Sequence, residues 1–152
     1  MLDTPPPPEQ SITVVRTISA PVSSVFAAWT TPELLRQWLA PAFCKVIEVT
    51  ADARPGGAYR IVVQSPFGGK TITFGEYREI IPDRRIVKTW VLEGRSPVAN
   101  YHTLVTVDFR ALGPASTEIT ILQEGLKTKV DRAGNRGGWN SCLKKLAASL
   151  KS

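Results

Sequence analysis

The stretch at residues 137–150, GGWNSCLKKLAASL, constrains the fold of this chain more than any other. Trp139, Cys142, Leu143, Leu146, Ala147 and Leu150 recur at helical spacing, and Asn140, Ser141, Lys144, Lys145 and Ser149 take the opposite side. A helix with so wide an apolar face must bury it against something. No earlier stretch offers a comparable helix, and nearly everything between residues 43 and 125 reads as strand and turn. The expected architecture is therefore α+β, with one antiparallel sheet curved around the terminal helix.

From Phe43 onward, turn signals arrive at Pro55-Gly56-Gly57, Pro66-Phe67-Gly68-Gly69, Pro82-Asp83-Arg84-Arg85, Gly94-Arg95-Ser96-Pro97 and Gly113-Pro114-Ala115-Ser116. Five turns separate six strands, and connections this short imply antiparallel neighbours. Tyr59, Ile61 and Val63 oppose Arg60 and Gln64; Val105, Val107 and Phe109 oppose Thr106, Asp108 and Arg110; Ile119, Ile121 and Gln123 oppose Glu118, Thr120 and Glu124. One face is dry and the other wet, as in a sheet covered on one side. Two strands leave the phase open. In 71–81, Ile72 and Phe74 share a parity with Ile80 while Tyr77 and Ile81 take the other, which predicts a bulge near Gly75. In 86–92, Trp90 shares its parity with Lys88.

Ahead of these strands, 11–19 alternates and is rich in Ile, Val and Thr, which predicts a first strand and a sheet of about seven. Two short helices follow. Pro21 opens one carrying Val22, Val25, Phe26 and Trp29. Thr31, as N-cap, and Pro32 open the other, carrying Leu34, Leu35, Trp38 and Leu39. Asp131 is the expected N-cap of the last helix, and Gly134, Gly137 and Gly138 suggest close approach of its backbone to the sheet. Residues 1–10, with prolines at 5 to 8, are expected to form a disordered or polyproline tail outside a single folded domain at 11–152.

A chain of 152 residues buries roughly 70% of its unfolded surface without metals or disulfides. No apolar run approaches the ~20 residues of a membrane helix. The N-terminus has neither the basic region nor the apolar core of a signal peptide, so a cytoplasmic location is expected, with Cys44 and Cys142 as reduced thiols. The net charge of +6 resides entirely in residues 127–152, where seven basic side chains meet only Asp131. A basic stripe on an amphipathic helix is ordinarily a solvated face, and no aromatic-rich basic strand accompanies it, so neither nucleic acid nor membrane is an expected partner.

Specific residues resemble a known family. Ala20-Pro21, Val25-Phe26, Ala28-Trp29-Thr30, Pro32-Glu33, Trp38 and Pro41 are similar to the opening of proteins related to the C-terminal domain of the activator of heat-shock protein 90 ATPase. The likeness continues through Asp52, Arg54, Gly56-Gly57, Tyr59-Arg60, Gly75, Tyr77, Glu79-Ile80, Pro82, Arg85-Ile86-Val87 and Thr89-Trp90, and closes with Thr117, Gly125 and Gly138-Trp139. The resemblance implies the helix-grip fold of the START and pollen-allergen (SRPBCC) superfamily, in the order β-α-α-β6-α, and admits a chaperone as partner. Where the family often has a histidine near the end of the last strand, this chain has Gln123 followed by Glu124.

Signals of catalysis are sparse. The chain has no GxSxG, HExxH, Walker loop or dinucleotide fingerprint, and neither cofactor nor metal is expected. His102, the one histidine, has the parity opposite to Tyr101, Val105 and Val107, which places it on the wet face. No catalytic residue is assigned. A curved sheet holding one helix often leaves an apolar pocket, and the residues expected to line it are Trp38, Phe43, Tyr59, Ile61, Phe74, Tyr77, Trp90, Tyr101, Gln123, Trp139 and Cys142. The competing ordinary reading is that these aromatics simply fill a core. The leading expectation is a domain that binds a small hydrophobic or amphipathic ligand. A protein-interaction module and an enzyme using the same cavity are the alternatives, and exposed edge strands leave room for a homodimer.

Overall fold

Period-two alternation becomes a single seven-stranded sheet in the computed structural model, which describes residues 8–94 and 100–150. The elements are β1 (Ser11–Ile18), α1 (Val22–Thr30), α2 (Pro32–Trp38), β2 (Lys45–Ala51), β3 (Ala58–Gln64), β4 (Lys70–Ile81), β5 (Arg85–Leu92), β6 (Tyr101–Gly113), β7 (Ser116–Glu124) and α3 (Lys129–Ser149). All pairings are antiparallel in the order β1-β7-β6-β5-β4-β3-β2. Short hairpins account for most of this order. The exception is β1, which crosses to pair with β7 while α1 and α2 fill the corner between β1 and β2.

The apolar face of α3 meets the sheet as its spacing requires. Trp139, Cys142, Leu143 and Leu146 are buried, and they join Val14, Trp29, Leu35, Val107, Ile119 and Ile121 in one core. Side chains pin the helix along its length. Arg136 donates to the Thr13 carbonyl at 2.9 Å, Ser141 Oγ accepts from the Ala42 amide at 2.6 Å, and Lys145 Nζ donates to the Ala40 and Cys44 carbonyls at 2.7 and 3.1 Å. The basic stripe is thus more than a solvated face, since Arg132, Arg136 and Lys145 hold backbone carbonyls. Arg36 of α2 donates to the Ile47 carbonyl on edge strand β2, which blunts part of that edge.

Several expectations are corrected. The N-cap of α3 is Thr128 and not Asp131: the Thr128 hydroxyl accepts from the Asp131 amide at 3.0 Å, which places Asp131 inside the first turn. The bulge in β4 falls between Tyr77 and Glu79 and not near Gly75, so Thr71, Thr73 and Tyr77 face the helix. Of the expected tail, residues 1–7 lie outside the described residues. Pro8–Gln10 forms a 3-10 turn whose Gln10 carbonyl accepts from the Gly125 and Leu126 amides. In the expected turn over 94–97, residues 95–97 also lie outside the described residues.

Glycine serves two opposite purposes here. A Cβ at Gly75 would collide with the carbonyl and side-chain oxygens of Thr89 on β5. At Gly134, Gly137 and Gly138 a Cβ would meet nothing within 4 Å, so these three open space and do not permit close approach. Gly75→Ala is therefore expected to cost more than about 3 kcal/mol, because backbone must shift to admit the methyl group. Gly137→Ala, exposed within α3, is expected to stabilise by about 1 kcal/mol. Urea denaturation of both variants checks the contrast.

Candidate functional site

Gly134 and Gly138 look onto a cavity of about 240 Å³. Its roof is the first half of α3, where Gly134, Asn135 and Gly138 present little side chain. Its walls are Ile61 and Val63 of β3, Thr71 and Thr73 of β4, and Leu92 of β5, with Leu39, Pro41 and Cys44 closing the side toward α2. The indoles of Trp90 and Trp139 complete the lining with Cys142. They lie together, with ring centroids 5.0 Å apart. Trp139 is fixed by a directed chain of hydrogen bonds. Its Nε1 donates to Gln123 Oε1 at 2.8 Å, Gln123 Nε2 donates to Thr103 Oγ1 at 3.1 Å, and Thr103 Oγ1 donates to the Trp90 carbonyl at 2.7 Å.

Beyond Trp90, one step further along the inner face of β5, lies a lysine. Leu92, Trp90, Lys88 and Ile86 alternate with Val91, Thr89 and Val87, so the inward row runs from the cavity wall into the core. Lys88 is only 1% exposed. Its Nζ is 4.8 Å from the ring centroid of Tyr59, 5.1 Å from Trp90, 5.6 Å from Trp29 and 5.8 Å from Tyr77. Among the described residues it has neither a carboxylate partner nor a hydrogen bond. Two of the four rings carry buried polar atoms that also lack a hydrogen-bond partner among the described residues, Trp29 Nε1 and the Tyr77 hydroxyl. The Tyr59 hydroxyl, by contrast, donates to the Thr89 carbonyl.

The expected lining residues divide into groups. Ile61, Trp90, Trp139 and Cys142 line the cavity. Gln123 is buried and acts on it through Trp139, while Tyr59 and Tyr77 stand behind Trp90 around Lys88. Trp38 is buried in the core beside Trp29, its Nε1 donating to the Ala28 carbonyl at 3.0 Å. The other three lie elsewhere. Phe43 is 85% exposed, following Ala42, whose φ of 39° swings the chain outward. Phe74 has the parity opposite to Thr73 and lies on the convex face of the sheet, paired with Val91. Tyr101 stands at the start of α3, where its hydroxyl donates to Asp131 Oδ2 and accepts from the Lys127 amide. His102 is exposed, as its parity requires. Lys88 is absent from the expected set, although its shared parity with Trp90 carries the signal.

Burial alone pushes the Lys88 amine down from 10.5 to about 7. It also pushes the Cys142 thiol up to about 12, so the thiol stays protonated and weakly nucleophilic. Burial, reinforced by Asp52, raises Tyr77 to about 12, and Tyr59 is raised too, with Tyr77 as its second cause. The consequences for stability have definite signs. Between pH 7 and 10.5 the unfolded chain holds a proton on Lys88 that the folded chain has lost, so stability rises with pH across this window. The raised thiol and phenols act in the opposite sense, but only above the ordinary value of 9.0 for the thiol. From pH 7 to 9, Lys88 should therefore add up to about 1.4 kcal/mol of stability per pH unit. Lys88→Met should abolish that slope and exceed the parent protein in stability at pH 6. Parallel chemical denaturation of both proteins from pH 6 to 9 measures the difference, and equal slopes would refute it.

Among the described residues no helix is long and apolar enough to cross a membrane, and no three His, Cys, Asp or Glu side chains cluster as metal ligands. No curated protein matches the chain. Solved structures do. A protein of Chromobacterium violaceum is 31% identical, with a TM-score of 0.82 over 95% of this chain and 99% of its own. A protein of Rhizobium leguminosarum is 26% identical, with a TM-score of 0.77 over 92% and 93%. The AHSA1 protein of Silicibacter pomeroyi, at 20% identity and a TM-score of 0.82 over 92% and 96%, shares the fold. The family described as Activator of Hsp90 ATPase homolog 1-like protein matches residues 19–151. With its seven-stranded sheet closed around a terminal helix, the chain belongs to that family.

Proposed function

We propose that this domain binds a small apolar or amphipathic molecule in the cavity between α3 and strands β3 to β5. The observation that carries the reading is the construction of the roof. Gly134 and Gly138, four residues apart on one side of α3, cost about 1 kcal/mol each relative to alanine, and they leave open space where side chains would have narrowed the gap. A packing-only role gives no reason for that cost. The lining is aliphatic and indole with a few polar groups, Thr71, Thr73 and Asn135 among them, which suits a ligand that is mostly apolar with a polar end. At about 240 Å³ the cavity is below the drug-sized range of roughly 300–1,000 Å³, so a single-ring or short-chain molecule fits better than a bilayer lipid.

The indoles of Trp90 and Trp139 report occupancy directly. Titration with 3-phenyl-1-propanol, followed by tryptophan fluorescence and thermal denaturation, should give saturable binding and a rise in Tm; at a hundredfold excess over Kd the gain in stability is about 2.7 kcal/mol. Gly138→Leu, which projects a side chain into the open space, should weaken binding at least about tenfold while the protein stays folded. Unchanged affinity in that variant would place the ligand elsewhere.

A further inference from the structure

Lys88 is an expensive residue to keep. A buried lysine without a carboxylate or hydrogen bond loses hydration that ring faces only partly replace. A leucine or methionine would fill the same volume at lower cost. The four surrounding rings restrict what the amine is suited to meet. Their faces carry negative electrostatic potential, so they disfavour a carboxylate or phosphate beside Nζ and favour a delocalised cation. Nothing polar tethers Nζ among the described residues, and Trp90, whose ring centroid lies 5.1 Å from it, is also part of the cavity wall.

Resting on the reading of the cavity as a ligand site, we infer that Lys88 forms a reversible imine with an apolar aldehyde or ketone that enters beneath α3, with the four rings stabilising the protonated iminium. The step balances without an oxidant or reductant. The Nζ lone pair attacks the carbonyl carbon and forms the C–N bond while the carbonyl π pair moves to oxygen; the two amine protons pass to that oxygen, the C–O bond breaks to release water, and the nitrogen lone pair closes the C=N bond. The amine and carbonyl compound thus give imine and water, and hydrolysis reverses the step. Cys142 also lines the cavity but is held as a protonated thiol, which leaves the amine as the better nucleophile. With burial lowering its proton affinity to about 7, Lys88 is roughly half neutral at pH 7, against roughly one part in a few thousand for a solvated lysine.

The probe is 3-phenylpropanal with cyanoborohydride trapping at pH 7, read by intact mass and peptide mapping over all eight lysines. The unreactive 3-phenyl-1-propanol serves as the parallel binding control. An adduct at Lys88, forming at least about tenfold faster than at any other lysine, is expected. That adduct should be lost in Lys88→Arg and Lys88→Met. Trp90→Ala, which removes a ring shared by the cavity wall and the Lys88 surroundings, should speed labelling of Lys88. Alcohol binding with adducts scattered over surface lysines, or with Lys88 unmodified in the parent protein, would overturn the inference and leave the cavity reading intact. Failure of both alcohol binding and Lys88 labelling would overturn both.

Discussion

The indole of Trp139 holds the helix to the sheet and at the same time bounds the space between them. It stacks on Trp29 with centroids 5.9 Å apart, touches Trp90, and donates its N–H to buried Gln123. Gln123 passes that constraint to Thr103, and Thr103 passes it to the backbone of β5 at Trp90. The two indoles that line the cavity are thus joined by a fully directed hydrogen-bond chain crossing three strands. Buried polar groups satisfied in this way specify one arrangement of a core. The second half of α3 packs into the core through Trp139, Cys142, Leu143 and Leu146, while Gly134, Asn135 and Gly138 face the cavity.

That division of α3 explains how one helix both closes a core and leaves a void. From Trp139 onward, large side chains interlock with the sheet. Before Trp139 the helix offers glycine at 134, 137 and 138, and Val130 points away, 80% exposed. Lys88 lies between these two regimes, beyond the cavity along β5. It is the clearest violation of ordinary core composition among the described residues, and it lies beside the residues that make the cavity. Core positions that break the rules of burial without a local partner tend to mark function.

Much of the fold is legible in the sequence because alternation and helical spacing are strong signals where one face is buried. In β6 and β7, Val105, Val107, Phe109, Ile119 and Ile121 alternate with polar residues, and each is buried as its parity requires. The site is legible only in part. Ile61, Trp90, Trp139 and Cys142 follow from parity and helical face, but Phe43 and Phe74 do not, since a positive φ at Ala42 and a bulge after Tyr77 decide their directions. Tyr101 shares the parity of Val105 yet is drawn to the start of α3 by Asp131 and the Lys127 amide. Lys88 is hidden by the rule that charged residues face water. The helix glycines read as close-contact residues because a sequence records a missing side chain, not whether anything stands opposite.

In this fold α3 spans a void bounded by Trp90 and Trp139 and roofed by Gly134 and Gly138. Diffraction from a crystal of the protein pressurised with xenon tests it most directly, because xenon enters apolar cavities without needing a chosen ligand. An anomalous peak under Gly138, against the Trp90 and Trp139 indoles, is the predicted result. A xenon-free site with the Trp90 or Leu92 side chain occupying that space would contradict it.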